Sequence, residues 1–217
     1  MFLGLISQQD SLKSQKEELS LQREDLKLYK DELEKNTIAL KSQEDQLKKQ
    51  IGIMERQQDE ETFFKLLSSH QEFCKSLRYK SAGETTATDR EYFQIMHKIF
   101  IHNHHWESKD LAYTIDKFQH FQQNYSHAFD TYFRIVYQII SWVDTSALEK
   151  KFFYISILRA QLTKFELFFI FYNGLSIKGK KLKDLIEKYH FVTYISEEDL
   201  VEKEHLQQYE FFAKKYS

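Results

Sequence analysis

A chain of 217 residues accommodates one domain with an extension or two small domains, and its 41 % apolar share is enough for a packed core. A formal net charge of −2 argues against a protein that holds nucleic acid through bulk charge, so no nucleic-acid partner is expected. With no proline, five glycines, 19 Phe and 13 Tyr the composition points to an all-α protein, and the lone Cys74 excludes an internal disulfide and a multi-cysteine zinc site.

The opening "MFLGLIS" holds an apolar run too short for a signal-peptide core or a membrane span. From Leu5 to Gln58 the pattern predicts one continuous helix, on the order of 80 Å long at the rise of an α-helix. Leucine recurs every seventh residue, at Leu12, Leu19, Leu26, Leu33, Leu40 and Leu47, and the series extends to Leu5 and Met54. This is one seam of a coiled coil. Three residues on, the second seam reads Gln15, Gln22, Tyr29, Asn36 and Gln43. Amides at core positions weaken a coil while restricting its oligomeric state, so residues 5–58 are expected to bring copies together as a marginal homo-oligomer. Acid-first pairs at i,i+4 (Asp31–Lys35, Glu44–Lys48, Asp45–Lys49) add support along the helix surface.

At Glu60 the pattern changes, which divides the chain into a coiled-coil helix, 1–59, and an aromatic-rich helical domain, 60–217. "ETFFKLLSSHQEFCKSL" has the wide apolar face of a core helix. The polar stretch 78–90 is expected to be a mobile loop. Helices are predicted over about 91–102, 110–143, 147–173, 181–190 and 197–215. Asp144–Ser146 should turn the two longest into an antiparallel hairpin and cap the second, and Gly174 should stop it. The most apolar window, "FELFFIFYNGL", has half a spanning length and contains Glu166, so the chain reads as soluble.

Three groups of residues carry candidate chemistry. His102, His104 and His105 do not share a helix face, so a solvated helix end is preferred to a metal site, and neither metal nor cofactor is expected. Arg90 and His97 form an R-x6-H pair, the loose limit of the pattern of HEPN-type ribonucleases; the alternative is a helix-start arginine and a packed histidine. Arg134, Arg159, Gln161, Glu166 and Asn173 sit inside two strongly apolar helices. Such groups must be paired or face a polar cavity, so they are expected to form a structural network or to line a pocket that senses a ligand or partner. No catalytic residue is assigned, and the chain is expected not to be an enzyme.

In order along the chain, the coil's "LKSQ" and "LKKQ" phrases, "ETFFKLLSSHQEF", "DREYFQIM", "YFRIVYQII" and "YISILRAQLTKFELFFIFYNGLS" resemble the phage abortive infection proteins of bacteria (AbiC-like) over roughly residues 10–190. The last stretch, an Arg-Ala-Gln-Leu-x-x-x-Glu run ending in Phe-Tyr-Asn, is the most specific. The resemblance implies antiviral defence, in which an infected cell stops growing or dies before phage progeny mature. It supplies no reaction and no catalytic residues. Relatives begin with two membrane-spanning helices, and "FLGLI" looks like the end of such a span. Residues 1–6 are therefore read as the remnant of an anchor, either trimmed or absent from this member. The residue before Tyr-Phe-Arg, often histidine in the family, is here Thr131. The resulting expectation is a cytoplasmic sensor or effector, at the cytoplasmic face of the inner membrane where an anchor is present. A phage or host protein would trigger it and the coil would assemble it. The competing readings are a HEPN-like RNA-cleaving toxin using Arg90 and His97, and a coiled-coil adaptor without effector activity.

Overall fold

With no proline and few glycines, little interrupts the N-terminal helical pattern, and α1 runs over Phe2–Ser76. The computed structural model describes the backbone of residues 2–81, 84–102 and 106–212, and the side chains of 12–80, 86–102 and 106–212. The chain divides into two compact units, Met1–Glu55 and Arg56–Ser217.

In the first unit every described side chain is exposed, including the leucine line, whose six members are 50–66 % accessible. Of the three ion pairs expected along it, Glu44–Lys48 closes, at 2.7 Å. An exposed pair of this kind contributes only about 0.3–0.5 kcal/mol, and among the described residues of this unit no side chain covers the apolar line.

The second unit begins with the C-terminal part of α1, which buries Phe63, Leu67, His70 and Cys74 along one face. The stretch expected to be a mobile loop is instead an antiparallel hairpin, β1 (Arg78–Ser81) with β2 (Glu84–Thr88), in register Tyr79 with Ala87 and Lys80 with Thr85. The β-branched run Thr85, Thr86 and Thr88 suits a pleated surface better than a loop, and Ala87 docks the hairpin on the core. Six helices follow: α2 (Glu91–His102), α3 (Leu111–Asn124), α4 (Ser126–Thr145), α5 (Lys151–Ala160), α6 (Lys164–Leu175) and α7 (Lys180–Tyr189). Beyond them come two 3₁₀ segments, Glu197–Asp199 and Lys203–Gln208, where a single long helix was expected.

Each of the two long predicted helices is broken in two. The first breaks at Tyr125. The second breaks at Gln161–Thr163, where Thr163 and Glu166 form a capping box: the Thr163 hydroxyl accepts from the Glu166 N–H at 3.2 Å, and the Glu166 carboxylate from the Thr163 N–H at 2.8 Å. Asp144 does not cap α5. It accepts from Lys188 Nζ at 2.5 Å and the Tyr189 hydroxyl at 2.6 Å, tying α4 to α7. Gly174 does not stop α6 either; a Cβ there would lie 2.4 Å from the Tyr209 hydroxyl, so the glycine admits a close neighbour.

Helix α4 is amphipathic, burying Phe129, Tyr132, Phe133, Val136, Ile139, Ile140 and Val143 at helical spacing. Helix α6 is apolar all round and buried from Glu166 to Gly174, which makes it the central element. Phe169 at its middle meets Phe129 at 4.7 Å and stacks on Phe121 at 6.1 Å. Among the described residues no helix is long and apolar enough to cross a membrane.

Candidate functional site

At the first turn of α6 the carboxylate of Glu166, fully buried, gathers side chains from three other parts of the second unit. Its Oε2 accepts from Arg90 Nη1 at 3.1 Å and from the Thr163 N–H at 2.8 Å. Its Oε1 accepts from the Tyr132 hydroxyl at 3.1 Å and lies 3.7 Å from Cys74 Sγ and 3.8 Å from His70 Nε2. The N-terminal end of a helix dipole favours a negative charge at this place. Arg90 enters from the turn before α2, just after Asp89, whose φ of 56° is a left-handed conformation that aspartate tolerates. The guanidinium also donates to the Gln161 carbonyl, while the Gln161 side chain accepts from Gln71 Nε2 at 2.7 Å.

Burial dominates the titration of the group. His70 is pushed down to about 4 by desolvation, with the Arg90 cation acting in the same direction, so its ring is neutral at ordinary pH. Cys74 is raised to about 12 by desolvation and then by the Glu166 charge, so the group alone holds a thiol and not a thiolate. The Tyr132 hydroxyl is held well above its ordinary value, chiefly by burial and then by Glu166, and remains a donor. His70 is the anomaly. Its ring is fully buried, Nδ1 has no hydrogen-bond partner, and Nε2 meets Cys74 Sγ only at 3.8 Å. An unserved buried polar atom costs about 1–3 kcal/mol, and an apolar side chain of similar size would avoid it.

The five residues expected to form a network or to line a pocket are divided among three places. Glu166 and Gln161 belong to the centre just described. Arg134 is exposed and, with the buried Asn173, lines a cleft of about 380 Å³. Gln122, Asp130, Lys178 and Lys181 also border it. Within the cleft Asp130 accepts from Gln122 Nε2 at 2.8 Å and faces Lys178 Nζ at 3.6 Å. Arg159 was expected to be buried against polar groups; it is only half-buried, donating to the His190 carbonyl at 3.0 Å with its guanidinium over the Tyr194 ring. The break between α5 and α6 accounts for the division, because it turns Arg159 and Glu166 to unrelated surroundings.

Arg90 and His97 likewise engage separate partners. Arg90 is committed to Glu166 and Gln161, whereas the His97 ring packs on Phe165 and Phe168 and its Nε2 lies 3.4 Å from the Asp199 carbonyl. Arg90 is thus more than the helix-start residue its sequence position suggested. His102 is exposed at the end of α2, and His104 and His105 lie outside the described residues. Sequence reasoning singled out neither His70, Cys74 nor Tyr132. The usable signal was His70 and Cys74 at i,i+4 on an apolar helix face, a spacing that puts both side chains side by side.

The class defined so far is an α-helical domain around a central helix, buried from Glu166 to Gly174, whose first turn carries a carboxylate–guanidinium centre. Within it, residues 124–200 match the family model described as "Putative phage abortive infection protein". The matched span holds α4 to α7, with Tyr132, Gln161, Thr163 and Glu166, and excludes His70, Cys74 and Arg90. The resemblance anticipated from the sequence is therefore found over that narrower range. Comparison with curated proteins and with solved structures gave no match.

Proposed function

We propose that this protein is an anti-phage defence protein of the abortive-infection type, a non-enzymatic sensor or effector assembled through the leucine line of α1. The family match over 124–200 carries the defence reading. Assembly is supported by six leucines in heptad spacing that are exposed among the described residues of the first unit. Burying each contributes at most about 1.5–3 kcal/mol, reduced by ordering entropy and by the amide layers, so the association is marginal and adjustable. A membrane anchor ahead of the coil in longer relatives would raise the local concentration of chains and let such a coil pair at the cytoplasmic face of the inner membrane. The cleft of Arg134, Asp130, Asn173 and Lys178 is where a polar phage or host partner would be sensed.

The test is phage challenge of bacteria expressing the wild-type chain, Leu26→Lys/Leu33→Lys or His97→Ala. Plaque formation should fall with the wild type and with His97→Ala, and recover with the leucine variant, while cellular RNA stays intact before collapse of the culture. Protection that survives the leucine change would remove assembly from the account. Protection lost with His97→Ala, together with lost RNA cleavage, would replace it by a ribonuclease.

A further inference from the structure

Cys74 Sγ, His70 Nε2 and Glu166 Oε1 lie at the corners of a nearly equilateral triangle, with sides of 3.7, 3.8 and 3.8 Å. The centre of such a triangle is about 2.2 Å from each corner, against zinc bond lengths of about 2.0–2.1 Å to imidazole nitrogen, 2.0–2.2 Å to carboxylate oxygen and 2.3 Å to sulfur. All three side chains are buried. We propose that His70, Cys74 and Glu166 are three ligands of a divalent metal ion of the zinc class, which fastens the C-terminal part of α1 to α6.

Three observations besides the spacing support the site. The two oxygens of Glu166 have divided roles: Oε2 is held by Arg90 and the Thr163 N–H, whereas Oε1, which accepts from the Tyr132 hydroxyl, is the one turned toward Cys74 and His70. Arg90 and Tyr132 thereby orient the carboxylate as outer partners orient metal ligands elsewhere. His70 Nδ1 has no hydrogen-bond partner in its fully buried position, and Nε2 has only the long contacts to Cys74 Sγ and Glu166 Oε1, both at 3.8 Å. The donor set of one nitrogen, one sulfur and one oxygen suits a borderline-soft cation and not magnesium or calcium. Binding releases the thiol proton to solvent, and the ion's two positive charges meet one thiolate and one carboxylate. A fourth position is left for water or an incoming ligand.

The experiment is titration of the purified, chelator-treated full chain with Co²⁺, followed by absorption, then displacement by Zn²⁺. Cys74 is the chain's one cysteine, so a thiolate-to-cobalt charge-transfer band reports this site alone. The expected result is that band at one equivalent, its loss on adding Zn²⁺, and at least tenfold weaker binding in His70→Gln. Zinc should also raise the melting midpoint of the wild type and leave that of Cys74→Ala unchanged. Cobalt binding without the band, as surface histidines would give, overturns the proposal, as does a band of unchanged affinity in His70→Gln. Should Cys74→Ala fail to fold, the wild-type band decides by itself.

Discussion

Removing Arg90 strips the buried Glu166 carboxylate of its guanidinium partner and leaves it held by Tyr132, the Thr163 N–H and a long contact from the Cys74 thiol. Breaking such a pair from one side costs about 3–5 kcal/mol, and the carboxylate, at 0 % exposure, has no route to water. The reverse change is milder. In Glu166→Gln the single amide oxygen can keep the Thr163 N–H, while the amide NH2 in the other position donates to the Tyr132 hydroxyl oxygen, and Arg90, 29 % exposed, can turn toward solvent, so about 1–3 kcal/mol is expected. In Arg90→Ala/Glu166→Gln no buried charge remains, and the loss should fall short of the sum of the single losses by more than about 1 kcal/mol. Urea unfolding followed by tryptophan fluorescence reads this directly, because Trp106 and Trp142 both lie in the second unit. Additivity within about 0.5 kcal/mol, or an Arg90→Ala protein as stable as wild type, would refute the reasoning.

At Gly179 a Cβ would lie 1.7 Å from the Asn173 carbonyl oxygen, a backbone atom that cannot step aside, so Gly179→Ala should lower the urea midpoint markedly and reshape the Arg134 cleft. Arg159→Ala should cost only about 1–2 kcal/mol, the sum of one hydrogen bond and one exposed cation–π contact; a loss of 4 kcal/mol or more (roughly the cost of breaking a buried ion pair) would mean that Arg159 is buried after all. His97 and His205 are both held below the ordinary histidine value, chiefly by burial. The unfolded chain therefore takes up protons before the folded one as pH falls through about 6.5, and stability declines on acidification. Between about pH 7 and pH 5 the urea midpoint should fall less in His97→Leu/His205→Gln than in wild type, and an equal fall would assign the decline to other groups.

Much of the architecture was legible because it rests on periodicity. The leucine heptads, the aromatic face after Glu60 and the limits of α2 and α7 all follow from apolar spacing. The hairpin at 78–88 was missed because polar residues and a glycine were weighed above three β-branched threonines. The break before α6 was legible but passed over: Thr163-Lys164-Phe165-Glu166 is a capping-box sequence, hidden inside an otherwise unbroken apolar run. Glu166 was singled out because a carboxylate in such a run must find partners, and it is buried among polar groups, but which groups these are was not legible. Arg90 is 76 residues distant in sequence and Cys74 is 92, and no local pattern encodes a meeting at that range. Arg134 and Arg159 illustrate the converse. Each looked trapped in an apolar helix, yet long side chains at the edge of a buried face reach water or a carbonyl without a charged partner.

Whether the leucine line is an assembly surface is the point on which the proposed function turns, and sedimentation equilibrium measures it most directly. The wild-type chain should show a mass that rises with concentration above the 26.3 kDa of a single copy, while Leu26→Lys/Leu33→Lys stays at 26.3 kDa throughout with the aromatic unit still folded. A wild-type mass of 26.3 kDa at every concentration, or a double variant that associates as well as the wild type, would contradict the account.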